Sequence, residues 1–211
     1  MINSSDPMLA SLARDEAQTT ARLHDQLVSA AEADRLLDVA YRTVDSPVGA
    51  LLLAATDQGL VRVAYQIESH DQVLQTLSER VSPRILHAPR ELDQVARQLA
   101  EYFQGERRDF VLPLDFRLAR GFRREVLARL VMIDYGQTET YGQVAKATGH
   151  PRAVRAVGTA CATNPLPVIV PCHRVLRSDG KLGGYVGGLH TKAALLSLEA
   201  GKNADTNSAS P

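Results

Sequence analysis

The sequence contains only two cysteines, Cys161 and Cys172, among 211 residues. Two thiols are too few for a disulfide scaffold and cannot build a four-cysteine zinc site. Runs of 18 or more apolar residues are also lacking, so neither a membrane span nor a membrane partner is expected. The opening residues, Met1 to Asp6, do not follow the basic-then-apolar order of a secretory signal. With so few cysteines, a reducing, cytoplasmic setting is expected. Net charge is missing too, since 24 basic side chains balance 24 acidic ones. What remains is 45% hydrophobic and 23% charged, a globular profile. No metal or cofactor is expected, and a monomer is the default assembly.

The neutral total hides a segregation. Residues 1–110 carry a net charge of −6, whereas residues 140–192 carry +6, from seven basic residues and one acid, Asp179. Such asymmetry suits a polyanionic partner for the C-terminal part.

The pattern along the chain predicts an α/β N-terminal domain with a small antiparallel sheet. A mainly α C-terminal domain follows, with a winged-helix-like helix-turn-helix. Residues 1–40 read as an extension, partly helical and mobile before about residue 20. Leu23, Leu27 and Ala30/Ala31 recur at helical spacing, and Leu36, Leu37 and Ala40 continue the stripe. Residues 41–66 read as a three-stranded meander with turns at Ser46–Gly49 and Thr56–Gly59. A short helix is expected near Asp71–Glu79, and an amphipathic one carries Leu92, Val95, Leu99, Tyr102 and Phe103. Gly105 stands where a C-terminal cap belongs. Pro113 makes residues 110–116 an edge strand or connector. The N-terminal domain is taken as 41–116, the C-terminal domain as 117–200, and 201–211 as a disordered tail.

In the second domain a helix is expected from Gly121 to Ile133. Thr140 and Gln143 match a capping box and start a second helix. Gly149-His150 breaks it, and Pro151 opens a third, giving the helix-turn-helix pattern. That third segment, Pro151 to Thr163, places Arg152 and Arg155 one turn apart among small residues, including Ala153, Ala156 and Gly158. Small side chains let a helix backbone come close to what it meets, as in a minor groove. The alternative is a helix packed tightly on a neighbour, its arginines solvated.

Val168-Ile169-Val170 reads as a short buried strand ending at Pro171, and it delivers Cys172, His173 and Arg174. A thiol next to an imidazole and a guanidinium is a place where a thiolate can form. Neighbouring side chains on extended backbone point apart, so the proton is expected to leave through water. Glu199, closing the last helix, is the acid placed to orient the imidazole. Cys161 has no such neighbours and reads as packing. Asn164-Pro165 is a turn signal that joins the small-residue helix to the thiol segment. Glycines 180, 183, 184, 187 and 188 surround Tyr185. They are too irregular for a phosphate-binding loop and better suit a planar ligand beside the ring.

Tyr141-Gly142-Gln143-Val144-Ala145, Arg155-Ala156-Val157-Gly158, Asn164-Pro165, Pro171-Cys172-His173-Arg174-Val175 and Gly184-Tyr185-Val186-Gly187-Gly188-Leu189 follow one another. In order and spacing, over about residues 120–200, the sequence strongly resembles the O6-alkylguanine-DNA alkyltransferases. Residues 41–116 resemble the family's N-terminal domain more weakly, and residues 1–40 fall outside. The resemblance implies direct repair of O6-alkylguanine, and of O4-alkylthymine as an extension, in double-stranded DNA bound through its minor groove. It casts Cys172 as the alkyl acceptor, His173 as the base acting through water, Glu199 as its orienter, Asn164 as a hinge brace and Tyr141 as the proton source for the departing base. Arg155 would fill the place of the extruded nucleotide, with Thr140, Arg152, Ala153, Gly158 and Arg123 also at the DNA. Val175 would read the base through its carbonyl, and Tyr185, Val186 and Lys192 would line its pocket. A thioether does not leave, so the protein would act once.

Three positions depart from the family's pattern. Ala162 and Thr163 stand where a basic residue or glycine is frequent, and Arg123 stands where Thr or Gln is. The cysteine cluster of the phosphate-methylation sensors is missing, so no zinc is implied. Two other functions compete. A lesion sensor without transfer activity would lack Cys172, and a thiol hydrolase would need an oxyanion hole, for which no donor can be named.

Overall fold

The structure is a computed structural model and describes residues 7–34 and 36–201. Of the expected mobile start, residues 1–6 lie outside the described residues, and of the expected disordered tail, residues 202–211 do. The first element is a long helix, α1 (Pro7–Ala33), so helix begins well before residue 20. Leu23 and Leu27 remain more than half exposed on it. The apolar stripe does not continue as helix, because Ala40 already lies in the first strand.

The meander forms as expected: β1 (Val39–Val44), β2 (Leu51–Thr56) and β3 (Gly59–Tyr65) pair antiparallel in sequence order. A fourth strand, β4 (Ile85–His87), adds to β1 in parallel, so the sheet is mixed, in the order β3-β2-β1-β4. Three residues with one weak apolar face gave no periodicity to read. Between β3 and β4 lies α2 (His70–Arg80), and after β4 comes α3 (Asp93–Phe103).

The unbroken apolar run of β2 has a physical reason. The sheet is covered on both faces, which removes the polar half of the usual alternation. Leu52, Ala54, Val61 and Ala64 pack with Val73 and Leu77 of α2. Leu51, Leu53, Val63 and Tyr65 face a second, larger core with Leu92, Val95, Leu99 and Tyr102. That core also contains Val126, Leu127, Val157, Val170 and Leu195 from the C-terminal half, so the two halves share it. Residues 110–116 form a connector, whose Pro113 carbonyl accepts from Leu60 N at 2.9 Å. Gly59 makes this approach possible, because a Cβ there would lie 2.3 Å from that oxygen.

The C-terminal half holds α4 (Phe122–Leu130), β5 (Glu139–Thr140), α5 (Tyr141–Ala147), α6 (Val154–Ala162), β6 (Val175–Leu176) and α7 (Gly188–Glu199). Helix α4 ends at Leu130, three residues before the expected Ile133, and 131–133 turn tightly instead. That turn frees the Ile133 carbonyl to accept from Arg174 Nη1. Thr140 and Gln143 form the predicted capping box. Pro151 and Arg152 sit in the turn before α6 rather than in its first turn, and Ala153 takes the N-cap position. Arg152 and Arg155 are therefore not one helical turn apart, although both are exposed.

Candidate active site

The segment read as a strand over residues 168–170 is a compact turn, and Asn164 makes it one. Asn164 Oδ1 accepts from Leu166 N at 2.9 Å, and its Nδ2 donates to the Val170 carbonyl at 2.9 Å. Val170 N closes back on the Leu166 carbonyl at 2.8 Å. Val168 takes φ 72° in this turn, a conformation that costs a β-branched residue about 1–3 kcal/mol and persists only where the surroundings enforce it. The β-branched composition favoured a strand, and side-chain hydrogen bonding overrode it.

The same Asn164 Nδ2 lies 3.1 Å from Cys172 Sγ, so it donates to the sulfur. Cys172 is 1% exposed and begins a 3-10 turn with His173 and Arg174. Burial pushes its thiol up to about 11, while the Asn164 hydrogen bond and the charge of Lys192 pull it down. At neutral pH the group is therefore a thiol that needs a base.

His173 follows the thiol in the same 3-10 turn. It is completely buried, and its Nε2 lies 2.8 Å from Glu199 Oε1. Its Nδ1 has no partner within hydrogen-bonding distance among the described residues. Burial holds the imidazole below its usual range, against the pull of Glu199, so it is neutral at pH 7 and able to accept a proton.

Glu199 anchors more than the imidazole. Oε1 also accepts from Tyr102 Oη at 2.7 Å and Arg174 Nη2 at 2.9 Å. Oε2 accepts from Arg174 Nε at 2.8 Å and Gly136 N at 3.1 Å. Burial alone would raise this carboxyl, but His173 and Arg174 outweigh it and bring it down to about 2. The guanidinium of Arg174 is thus committed to Glu199. The cation that acts on the thiol is Lys192, completely buried and donating to the Val175 carbonyl at 2.6 Å.

Three tyrosines and one glycine shape the surroundings. Pairing of β5 with β6 sets Thr140 opposite Leu176, which carries Tyr141 to the site. Lys192 Nζ lies 5.9 Å from the Tyr141 ring centroid. Gly183 admits this ring, since a Cβ there would come within 2.3 Å of its hydroxyl. Burial, joined by the two thiols, pushes the Tyr141 phenol up to about 12. Tyr185 meets the His173 ring edge-on at 6.3 Å and shares a hydrogen bond of 2.8 Å with Tyr65. Val186 is half-buried beside Asn164 and Pro165 on a cleft of about 420 Å³.

The remaining sequence-selected residues lie on the helix-turn-helix or, for Arg123, on α4 beside it. Arg155 is exposed on α6, Ala153 is half-buried before it, and Thr140 caps α5. Arg123 donates to Thr163 Oγ1 at 3.3 Å. Ala156, Thr159 and Ala162 are exposed, and a Cβ on Gly158 would meet nothing within 4 Å. Ala160 does pack into the core, but Ala156, Gly158, Thr159 and Ala162 are not small in order to pack on a neighbour. The sequence reading missed Tyr65, Tyr102, Gly136 and the Ile133 carbonyl. Tyr102 did carry a signal, because a tyrosine on a buried helix face needs a partner for its hydroxyl.

Two family profiles match the chain. Residues 121–201 match the 6-O-methylguanine DNA methyltransferase DNA-binding domain, and residues 39–116 match that enzyme's ribonuclease-like domain. The chain belongs to the 6-O-methylguanine DNA methyltransferase family. A methylated-DNA–protein-cysteine methyltransferase of Mycolicibacterium paratuberculosis is 41% identical over 161 residues, covering 76% of this chain and 92% of the relative. The constitutive one of Bacillus subtilis is 36% identical over 163 residues, covering 75% and 94%. Among solved structures, Mycobacterium tuberculosis O6-methylguanine methyltransferase aligns at 38% identity with a TM-score of 0.67, covering 79% of this chain and 96% of that one. The same organism's OGT in complex with DNA aligns at 38% identity with a TM-score of 0.65, covering 77% and 94%. Residues 1–38 lie outside both family matches.

Proposed function

We propose that this protein repairs DNA by taking the alkyl group of O6-alkylguanine onto Cys172, once per molecule. The observation that carries the proposal is the buried Asn164–Cys172–His173–Glu199 arrangement. Its thiol is held by a hydrogen-bond donor, and a neutral imidazole is locked by a carboxylate on one nitrogen and open on the other.

A stacked guanine hides its O6 substituent, so the nucleotide must leave the helix stack. Exposed α6, with small residues and no Cβ at Gly158, suits close approach to the minor groove, and Arg155 is placed to fill the vacated stack. In the pocket Val175 reads the base through its carbonyl. That oxygen already accepts from Lys192 and retains a second lone pair for the base. Tyr185 and Val186 wall the ring.

The thiol proton passes to His173 Nδ1 through a bridging water, and Glu199 stabilises the imidazolium that forms. Cys172 Sγ attacks the alkyl carbon in line, so an S–C bond forms as the C–O6 bond breaks. Guanine leaves with an extra electron pair and takes a proton from Tyr141, which recovers one from the imidazolium by way of solvent. The net change moves the thiol proton onto guanine and the alkyl group onto sulfur. Asn164 donates to the sulfur as its charge grows. The same chemistry extends to O4-alkylthymine, where an alkyl group again sits on a base oxygen.

The test is restoration of guanine. A duplex carrying O6-methylguanine, incubated with excess protein and digested to nucleosides, should show full conversion of the lesion to deoxyguanosine. Cys172→Ala should leave the lesion intact. Undiminished conversion by that variant would overturn the proposal. A lesion sensor without transfer would bind the duplex and convert nothing.

A further inference from the structure

Four arginines converge where the connector between the domains meets the end of α2 and the start of α4. Arg80 ends α2, Arg117 and Arg120 lie between the connector and α4, and Arg123 is in the first turn of α4. With Leu118 they line a concavity of about 480 Å³. Arg80, Leu118 and Arg123 also line the neighbouring cleft, which carries Ala162 and Thr163 at the end of α6.

Charge compensation is uneven across the cluster. Arg117 is held by Asp115 and by Asp57, the latter at 3.8 Å. Among the described residues, no carboxylate forms an ion pair with Arg80, Arg120 or Arg123. Arg123 is half-buried, and burial together with the like charge of Arg80 holds its guanidinium below the usual arginine range. Gly121 gives the first turn of α4 no side-chain cap, and that turn presents the positive end of the helix dipole. Facing guanidinium groups without an acid between them repel, and an outside anion reverses the sign of that interaction. Guanidinium is also the side chain best matched to phosphate, through paired N–H donors.

We propose that Arg80, Arg120 and Arg123 bind backbone phosphate of the DNA duplex beyond the helix-turn-helix, carrying the footprint onto the N-terminal domain. The inference rests on the DNA-repair reading above. Continuity favours DNA: Arg123 bonds Thr163, which directly follows α6. A nine-residue helix spans only about 13 Å, so a duplex seated on α6 runs on past its ends. The arginines continue from one of those ends.

The experiment measures affinity of the full chain for an undamaged duplex across a salt series. The logarithm of affinity falls with the logarithm of salt by about 0.9 per neutralised phosphate. The Arg80→Gln/Arg120→Gln variant should give a slope shallower by about 1–2. Arg80→Lys/Arg120→Lys should recover most of it. Alkyl transfer from free O6-methylguanine base should be unchanged, because Cys172 is untouched. An unchanged slope in a Gln variant with the wild-type melting temperature overturns the proposal. So does stabilisation of the wild type, but not the variant, by inorganic phosphate with no change in slope, which would make this a free-anion site. Failure of the wild type to convert the damaged duplex would instead sink the repair reading, while the slope still reads the arginines.

Discussion

At the scale of single residues, Glu199 decides how the site behaves. It gathers His173, Arg174, Tyr102 and the Gly136 amide around one buried carboxylate. Removing its charge strands Arg174 in the interior, so Glu199→Gln should lower stability at pH 7 by about 3–5 kcal/mol, measured by denaturant unfolding. The pH dependence follows from the depressed carboxyl, at about 2 in the folded protein. A depressed carboxyl contributes its stability above the unfolded value, near 4.3, and loses it as pH falls through the folded value. The gap between wild type and Glu199→Gln should therefore be full above about pH 4.5 and close toward pH 2. A gap that stays constant down to pH 2 would contradict the network. His173 makes a separate prediction about rate. Burial holds the imidazole below its ordinary value, so it stays a base at pH 6.5. The acid limb of alkyl transfer, followed with the free alkylated base, should therefore fall below pH 6.5 and not above it.

At the scale of elements, much of the site could be read from the sequence. The capping box at Thr140 and Gln143 fixed the start of α5 because reciprocal hydrogen bonds leave a local signature. The Cys172–His173 pair and the acid at the end of α7 also showed in residue order. The turn over residues 165–170 did not, because Asn164 folds it through a side chain that composition alone reads as β-branched strand. Strand β4 and the shortened α4 were hidden for a related reason. One depends on pairing with β1, and the other on Arg174 reaching the Ile133 carbonyl 41 residues away. Helix α6 carries the prediction that belongs here. Arg155→Ala should slow repair of the alkylated duplex at least tenfold, about 1.4 kcal/mol, and leave reaction with the free base nearly unchanged. Equal slowing of both would remove Arg155 from base extrusion and return α6 to a packing role.

At the scale of the whole molecule, the N-terminal domain is part of the site. Tyr102 on α3 donates to Glu199, and Tyr65 on β3 bonds Tyr185 across the shared core. Neither contact could be read locally, because 97 and 120 residues separate the partners. A hydrogen bond to a charged group contributes about 1.5–3 kcal/mol. Tyr102→Phe should therefore lower stability by about that amount while both halves still unfold in one transition, seen as coincident far-UV and near-UV curves. Separate transitions in the wild type would contradict a common core. The central claim remains the consumed thiol at Cys172, and mass measurement on the protein tests it most directly. After reaction with a molar excess of O6-methylguanine duplex, intact mass should rise by one methyl group per chain and no further. Peptide mass should place that group on Cys172. A methyl group on another residue, several per chain, or repair without any gain in protein mass would contradict the account.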